Sequence, residues 1–78
     1  METPLTMKYV VLIEHGPTSF GASVPDLPGC IAVGDTREEA ERLIEEAIAI
    51  HIAGLREDGL SVPEPNTLAT TVDVKAIA

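Results

Sequence analysis

Residues 36–58 restrict what this chain can become more than any other stretch. Thr36-Arg37-Glu38-Glu39 has the spacing of a capping box: the Thr36 hydroxyl can accept from the Glu39 amide while the Glu39 carboxylate reaches back to the cap. Acidic residues in the first turn complement the helix dipole, Glu38 and Arg42 stand four apart, and Gly59 supplies a C-terminal stop. The spacing predicts one helix over 36–58, about 35 Å long at ~1.5 Å per residue. At ~100° per residue, the apolar positions from Ala40 onward, with His51 and Gly54 among them, cover roughly 200°, twice the stripe one core face needs. One sheet cannot hide that much. The surplus, Ile48, Ile50, Ile52 and Leu55, lies in the second half of the helix and is read as an interface between copies in a homo-dimer or homo-tetramer.

Length supports that reading. A chain of 78 residues makes one small domain and buries a smaller share of its surface than a longer one. Its single cysteine, Cys30, allows neither an internal disulfide nor a multi-cysteine zinc site, and Phe20 and Tyr9 are its only aromatics apart from histidine. Isoleucines buried between subunits would add the stability such a core lacks. At 45% hydrophobic and 23% charged, the composition is that of a globular protein. Thirteen acidic against five basic side chains give a net charge of −8, too few cations for the footprint that a phosphate backbone or an anionic membrane requires. Acidity favours a basic partner, or simply solubility. No apolar run approaches the ~20 residues of a membrane span, and the start lacks the pattern of a signal peptide, so a cytoplasmic protein is expected.

Along the chain, residues 1–6 read as a disordered leader before Met7, and residues 7–78 as a single domain. Lys8–Glu14 is rich in β-branched residues and apolar on both faces, the pattern of a central strand. His15-Gly16-Pro17-Thr18 is a turn, after which Phe20, Ala22 and Val24 alternate with Ser19, Gly21 and Ser23 as a strand with one buried face. Pro25–Gly29 cannot continue a ladder because proline lacks an N–H donor, and Cys30–Val33 is a third strand. After the helix, Val62-Pro63-Glu64-Pro65 is an extended exit, and Thr71–Lys75 alternates as a half-exposed strand near an edge. The predicted fold is α+β in the order β-β-β-α-β, a three-stranded antiparallel sheet and a fourth strand with one long helix.

Motifs for chemistry are missing. His15 sits in a turn and His51 on the apolar helix arc, without an H-E-x-x-H partner; both read as structural. Cys30 opens an apolar run and reads as a small buried hydrophobe, and Ser19 and Ser23 lack a nucleophile elbow. No glycine cluster forms a P-loop. Glu14, Asp26 and Asp35 could in principle hold metal ions as in a two-metal nuclease, but no spacing ties them together, and acids at strand ends serve solvation and capping. No catalytic residue, metal or cofactor is expected.

Val24-Pro25-Asp26-Leu27-Pro28-Gly29-Cys30, followed by Gly34-Asp35-Thr36, Glu38-Glu39-Ala40, Glu46-Ala47-Ile48, Gly59 and Val62-Pro63-Glu64-Pro65, resembles the HicB-type antitoxin family over residues 7–75. The resemblance implies a partial ribonuclease H-like fold and a non-catalytic module that binds a small basic HicA-type ribonuclease toxin and occludes its active surface. Longer members of the family carry a C-terminal DNA-binding module. None fits after Val74, so direct nucleic-acid binding by this chain alone is not expected. On this reading the partner-binding residues are Asp26, Leu27 and Pro28 in the stiff turn, with Asp35, Glu38 and Glu45 as acidic contacts. The competing readings are a metal-dependent nuclease remnant on the same fold and an orphan oligomer with no toxin partner.

Overall fold

A computed structural model describes residues 7–77; the leader expected at residues 1–6 lies outside the described residues. The described residues form an α+β fold of three strands, β1 (Leu12–His15), β2 (Phe20–Ser23) and β3 (Ile31–Gly34), and one helix, α1 (Arg37–Glu57). The sheet is antiparallel in the order β1-β2-β3, with Ile13 opposite Ala22 and Ala22 opposite Ala32. β1 is therefore an edge strand, and the central position expected for Lys8–Glu14 belongs to β2. The residues are apolar on both faces for a different reason. Tyr9, Val11 and Ile13 pack against the core on the helix side, whereas Leu12 is exposed on the other face.

The alternation expected in the second strand is present. Ala22 and Val24 are buried and Phe20 packs beside them, forming with Leu27, Cys30, Ala40 and Ile44 the core between sheet and helix. The opposite face of the sheet is uncovered, leaving Ile31 67% and Val33 61% exposed.

Leu27 departs from expectation. Pro25–Gly29 curls on itself through Leu27 N–H to the Val24 carbonyl at 3.1 Å and Cys30 N–H to the Leu27 carbonyl at 3.0 Å, with Gly29 at φ +84°. That curl turns Leu27 inward to 0% exposure. Expected as a partner contact, it is instead a core plug in the single chain; Pro28 beside it is exposed.

The helix boundaries follow their signals. Thr36 Oγ1 accepts from Glu39 N–H at 3.1 Å, but the Glu39 carboxylate reaches one residue further back than a standard capping box, to Asp35 N–H at 3.3 Å. At the other end Gly59, at φ +71°, donates to the Arg56 carbonyl and Leu60 donates to the Leu55 carbonyl, the paired bonds of a Schellman motif. The helix packs chiefly on β3 and β2 and least on β1. Of the surplus isoleucines only Ile50, 73% exposed, stands fully at the surface; Ile48, Ile52 and Leu55 are half-buried.

The fourth strand expected over Thr71–Lys75 does not form within the single chain. Residues 60–77 contain no helix or strand, and Val72 and Val74 are 75% and 81% exposed. The exit is nevertheless tied down. The Tyr9 hydroxyl, held protonated by burial and by the nearby Asp26 charge, donates to the Pro63 carbonyl, and Asp26 then fixes Asn66 and Thr67. The chain leaves the body of the protein only after that point.

Candidate functional site

Two features lie on the helix side of β1. The first is an open groove of about 520 Å³ between β1 and α1, with Tyr9, Val11, Ile13, Ile44 and Ile48 as its apolar lining and Lys8, Arg37, Glu41 and Glu45 as its charged lining. Smaller hollows continue it past Ile52 at one end and past His15 and Phe20, whose rings stack at 4.1 Å, at the other. The groove exists because α1 is centred over β2 and β3, so the edge strand is only half covered.

The second feature is the acidic side of α1. Arg37 pairs with Glu41 at 3.1 Å and Arg42 with Glu46 at 3.5 Å, so the expected Glu38–Arg42 pair is replaced by Arg42 turning forward. Both pairs are exposed and stabilise the helix by only a few tenths of a kcal/mol, about 0.3–0.5 each. Their electrostatic consequence is larger. Glu41 and Glu46 are neutralised, whereas Asp35, Glu38 and Glu45 are exposed with no ion pair among the described residues. Glu38 and Glu45, two turns apart, line one side of the helix with Asp35 at its start.

The turn and the acidic side do not form one patch. Pro28 lies in the turn three residues before β3 and Asp35 just past its end, so the four-residue strand, about 13 Å long, stands between them. Asp26 has a structural task that the sequence does not announce. Its carboxylate accepts from Asn66 N–H and Thr67 N–H, both at 3.0 Å, and from the Thr67 hydroxyl at 2.8 Å. Those backbone bonds, then the hydroxyl, hold its pKa below the ordinary value of 3.8. No periodicity announces such a clamp, because its two halves are 40 residues apart in sequence.

A testable consequence follows from the sign of that shift. The clamp is at full strength above the ordinary carboxylate pKa and is lost as pH falls through the lower folded value, so the tether should hold across neutral pH and release only in acid. Asp26→Ala should produce the released state at pH 7, seen as faster amide hydrogen exchange at Asn66 and Thr67 with α1 unchanged. Equal protection in the variant and the parent chain would show that the clamp does not hold the exit.

Cys30 is buried, which pushes its thiol above the ordinary range and keeps it a packing residue. Among the described residues no three His, Cys, Asp or Glu side chains converge as metal ligands, and no helix is long and apolar enough to cross a membrane.

Comparison with known proteins places this arrangement. Residues 9–77 match the family described as the HicB-like antitoxin of bacterial toxin–antitoxin systems. The chain is 36% identical over 61 residues to antitoxin HicB 2 of Photorhabdus laumondii, covering 78% of this chain and 44% of that protein. A protein from the rep-hol intergenic region of Haemophilus phage HP1 is 42% identical over 62 residues, covering 80% of this chain and 47% of its own length. A UPF0150 protein of Thermoplasma acidophilum is 37% identical over 67 residues, 85% of this chain and 97% of that protein. The chain thus spans about half the length of the first two relatives and nearly all of the third. With its capped helix, its P-D-L-P-G-C turn and its match running from β1 through the tethered exit, this chain belongs to the HicB-like antitoxin family.

Proposed function

We propose that this chain is a non-catalytic antitoxin module that self-associates and sequesters a small basic ribonuclease of the HicA type by covering its active surface. The family match over residues 9–77 carries the reading. The geometry supplies a means. Asp35, Glu38 and Glu45 present unneutralised charge along one side of a rigid helix, on a chain of net charge −8, where they would compete with RNA phosphates for a basic protein's field. Pro28 is a separate contact on the exposed turn. Leu27 and Asp26 act behind it, one as the plug that shapes the turn and the other as the clamp on the exit. We read the three antiparallel strands and the helix as part of a ribonuclease H-like fold.

The test is inhibition of RNA cleavage by a HicA-type ribonuclease encoded in the neighbouring reading frame. The parent chain should abolish cleavage at equimolar ratio. Asp35→Lys/Glu38→Lys/Glu45→Lys should slow association ~10-fold or more, with the difference shrinking at high salt. Glu45→Lys alone, far from the helix N-terminus, should act in the same direction without disturbing the dipole. Cleavage that continues at full rate with excess parent chain would defeat the reading.

A further inference from the structure

The outer edge of β1 and residues 68–76 are both unpaired in the single chain. β1 hydrogen-bonds to β2 on one side only, and its other edge is a free row of N–H and C=O groups in a β-branched segment without proline. Beside that edge lies the apolar groove over Val11, Ile13, Ile44 and Ile48. Residues 68–76 have the complementary pattern: Leu68, Thr70, Val72, Val74 and Ala76 fall on one side of an extended strand, and every one of them is exposed. A strand added to β1 would place alternate side chains of that series in the groove and complete its backbone bonds in the same step.

The chain does not make this pairing with itself, and its tether explains why. Pro63 is held at Tyr9, next to β1, but the following residues cross to Asp26 beyond the end of β2, where three hydrogen bonds hold Asn66 and Thr67. Residues 68–76 follow directly on that clamp, exposed and unpaired with their own β1.

We propose that residues 68–76 of one copy add as a fourth strand to the free edge of β1 in a second copy, and that the exchange is reciprocal, giving a two-fold dimer in which each chain completes the other's β-β-β-α-β order. This rests on the self-association part of the proposed function and is independent of the toxin. It supplies the missing cover for β1, and reciprocal exchange closes the assembly at two copies instead of extending it as a fibre. Ile50 is left free for any further association.

The full chain should sediment at twice its 8.2 kDa mass, and a dimer mixed from two differently labelled populations should show contacts between residues 68–76 of one and 8–15 of the other. Val72→Asp/Val74→Asp changes only side chains that the single chain exposes, so it should leave α1 intact and halve the mass. A parent chain that stays at 8.2 kDa at all concentrations would overturn both this exchange and the self-association reading. A double variant that keeps the oligomer would overturn the exchange alone and move the interface to the helix face around Ile50. A monomer with protected amides at Val72 and Val74 would show the strand closing within one chain, which also overturns it.

Discussion

Leu27→Ala is expected to destabilise the fold by about 2–5 kcal/mol, the range for truncating a fully buried leucine when its surroundings collapse only partly into the space left. The upper part of the range applies here. Leu27 is the largest fully buried side chain, and the core it plugs consists otherwise of Ala22, Val24, Cys30, Ala40 and Ile44, three of them small. The turn that delivers it contains Pro25 and Pro28 and is locked by the Val24 and Leu27 carbonyls, so the backbone cannot slide inward to refill the cavity. A domain of this length has a total stability on the order of 4–12 kcal/mol, so one methylene-rich side chain accounts for a large share of it. At ~4–8 °C per kcal/mol the melting temperature should fall by roughly 10 °C or more, measured at fixed protein concentration because any binding between copies would add to apparent stability. Pro28→Ala, on the exposed side of the same turn, should move it by less than about 0.5 kcal/mol. A Leu27→Ala protein that melts with the parent would show that the turn is a surface element. The pair separates the two sides of the turn: Leu27 acts through folding, whereas truncating the exposed Pro28 leaves the core intact.

The helix and the hairpin could be read from sequence because their determinants are local. A capping threonine, a glycine at the stop and alternation through Phe20, Ala22 and Val24 each act within a few residues, and the structure places helix ends and buried face accordingly. What sequence reading misplaced depends on what lies across space. β-branched residues at Lys8–Glu14 report a strand with apolar surroundings, but do not distinguish a neighbouring strand from a groove, so an edge read as a centre. The alternation at Thr71–Lys75 is a strand pattern with no partner strand among the described residues. Leu27 carries no periodic signal, since a turn flanked by prolines has no face to predict, and Asp26 looks like any turn acid until Asn66 and Thr67 arrive beside it. The acidic site was half legible. Charge counting identifies the carboxylates on the helix, but which of them remain free depends on whether Arg42 turns back to Glu38 or forward to Glu46.

Gly34→Ala should be destabilising by about 3 kcal/mol, the top of the range for overpacking, despite adding only one methyl group. Two effects compete. Replacing glycine in the unfolded chain removes conformational freedom and favours the folded state by about 0.4–1 kcal/mol where the backbone is compatible, and Gly34, unlike Gly29 and Gly59, has no positive φ to forbid alanine. Against that, a Cβ at position 34 would lie 2.6 Å from the Ala40 backbone nitrogen and 3.0 Å from the Glu39 carbonyl carbon. Neither atom belongs to a side chain that could swing away. Relief requires β3 and the first turn of α1 to separate, which would disturb the Thr36 cap and open the core at Ala40, itself 0% exposed. Sterics therefore prevail over entropy. Gly21 in β2 is the matched control: a Cβ there meets nothing within 4 Å, so Gly21→Ala should be stabilising by about 0.5–1 kcal/mol through the entropy effect alone. Chemical denaturation of the two variants decides the matter. Opposite signs place the junction between strand and helix at backbone contact, and a Gly34→Ala protein as stable as Gly21→Ala would mean that α1 can rise off the sheet without loss.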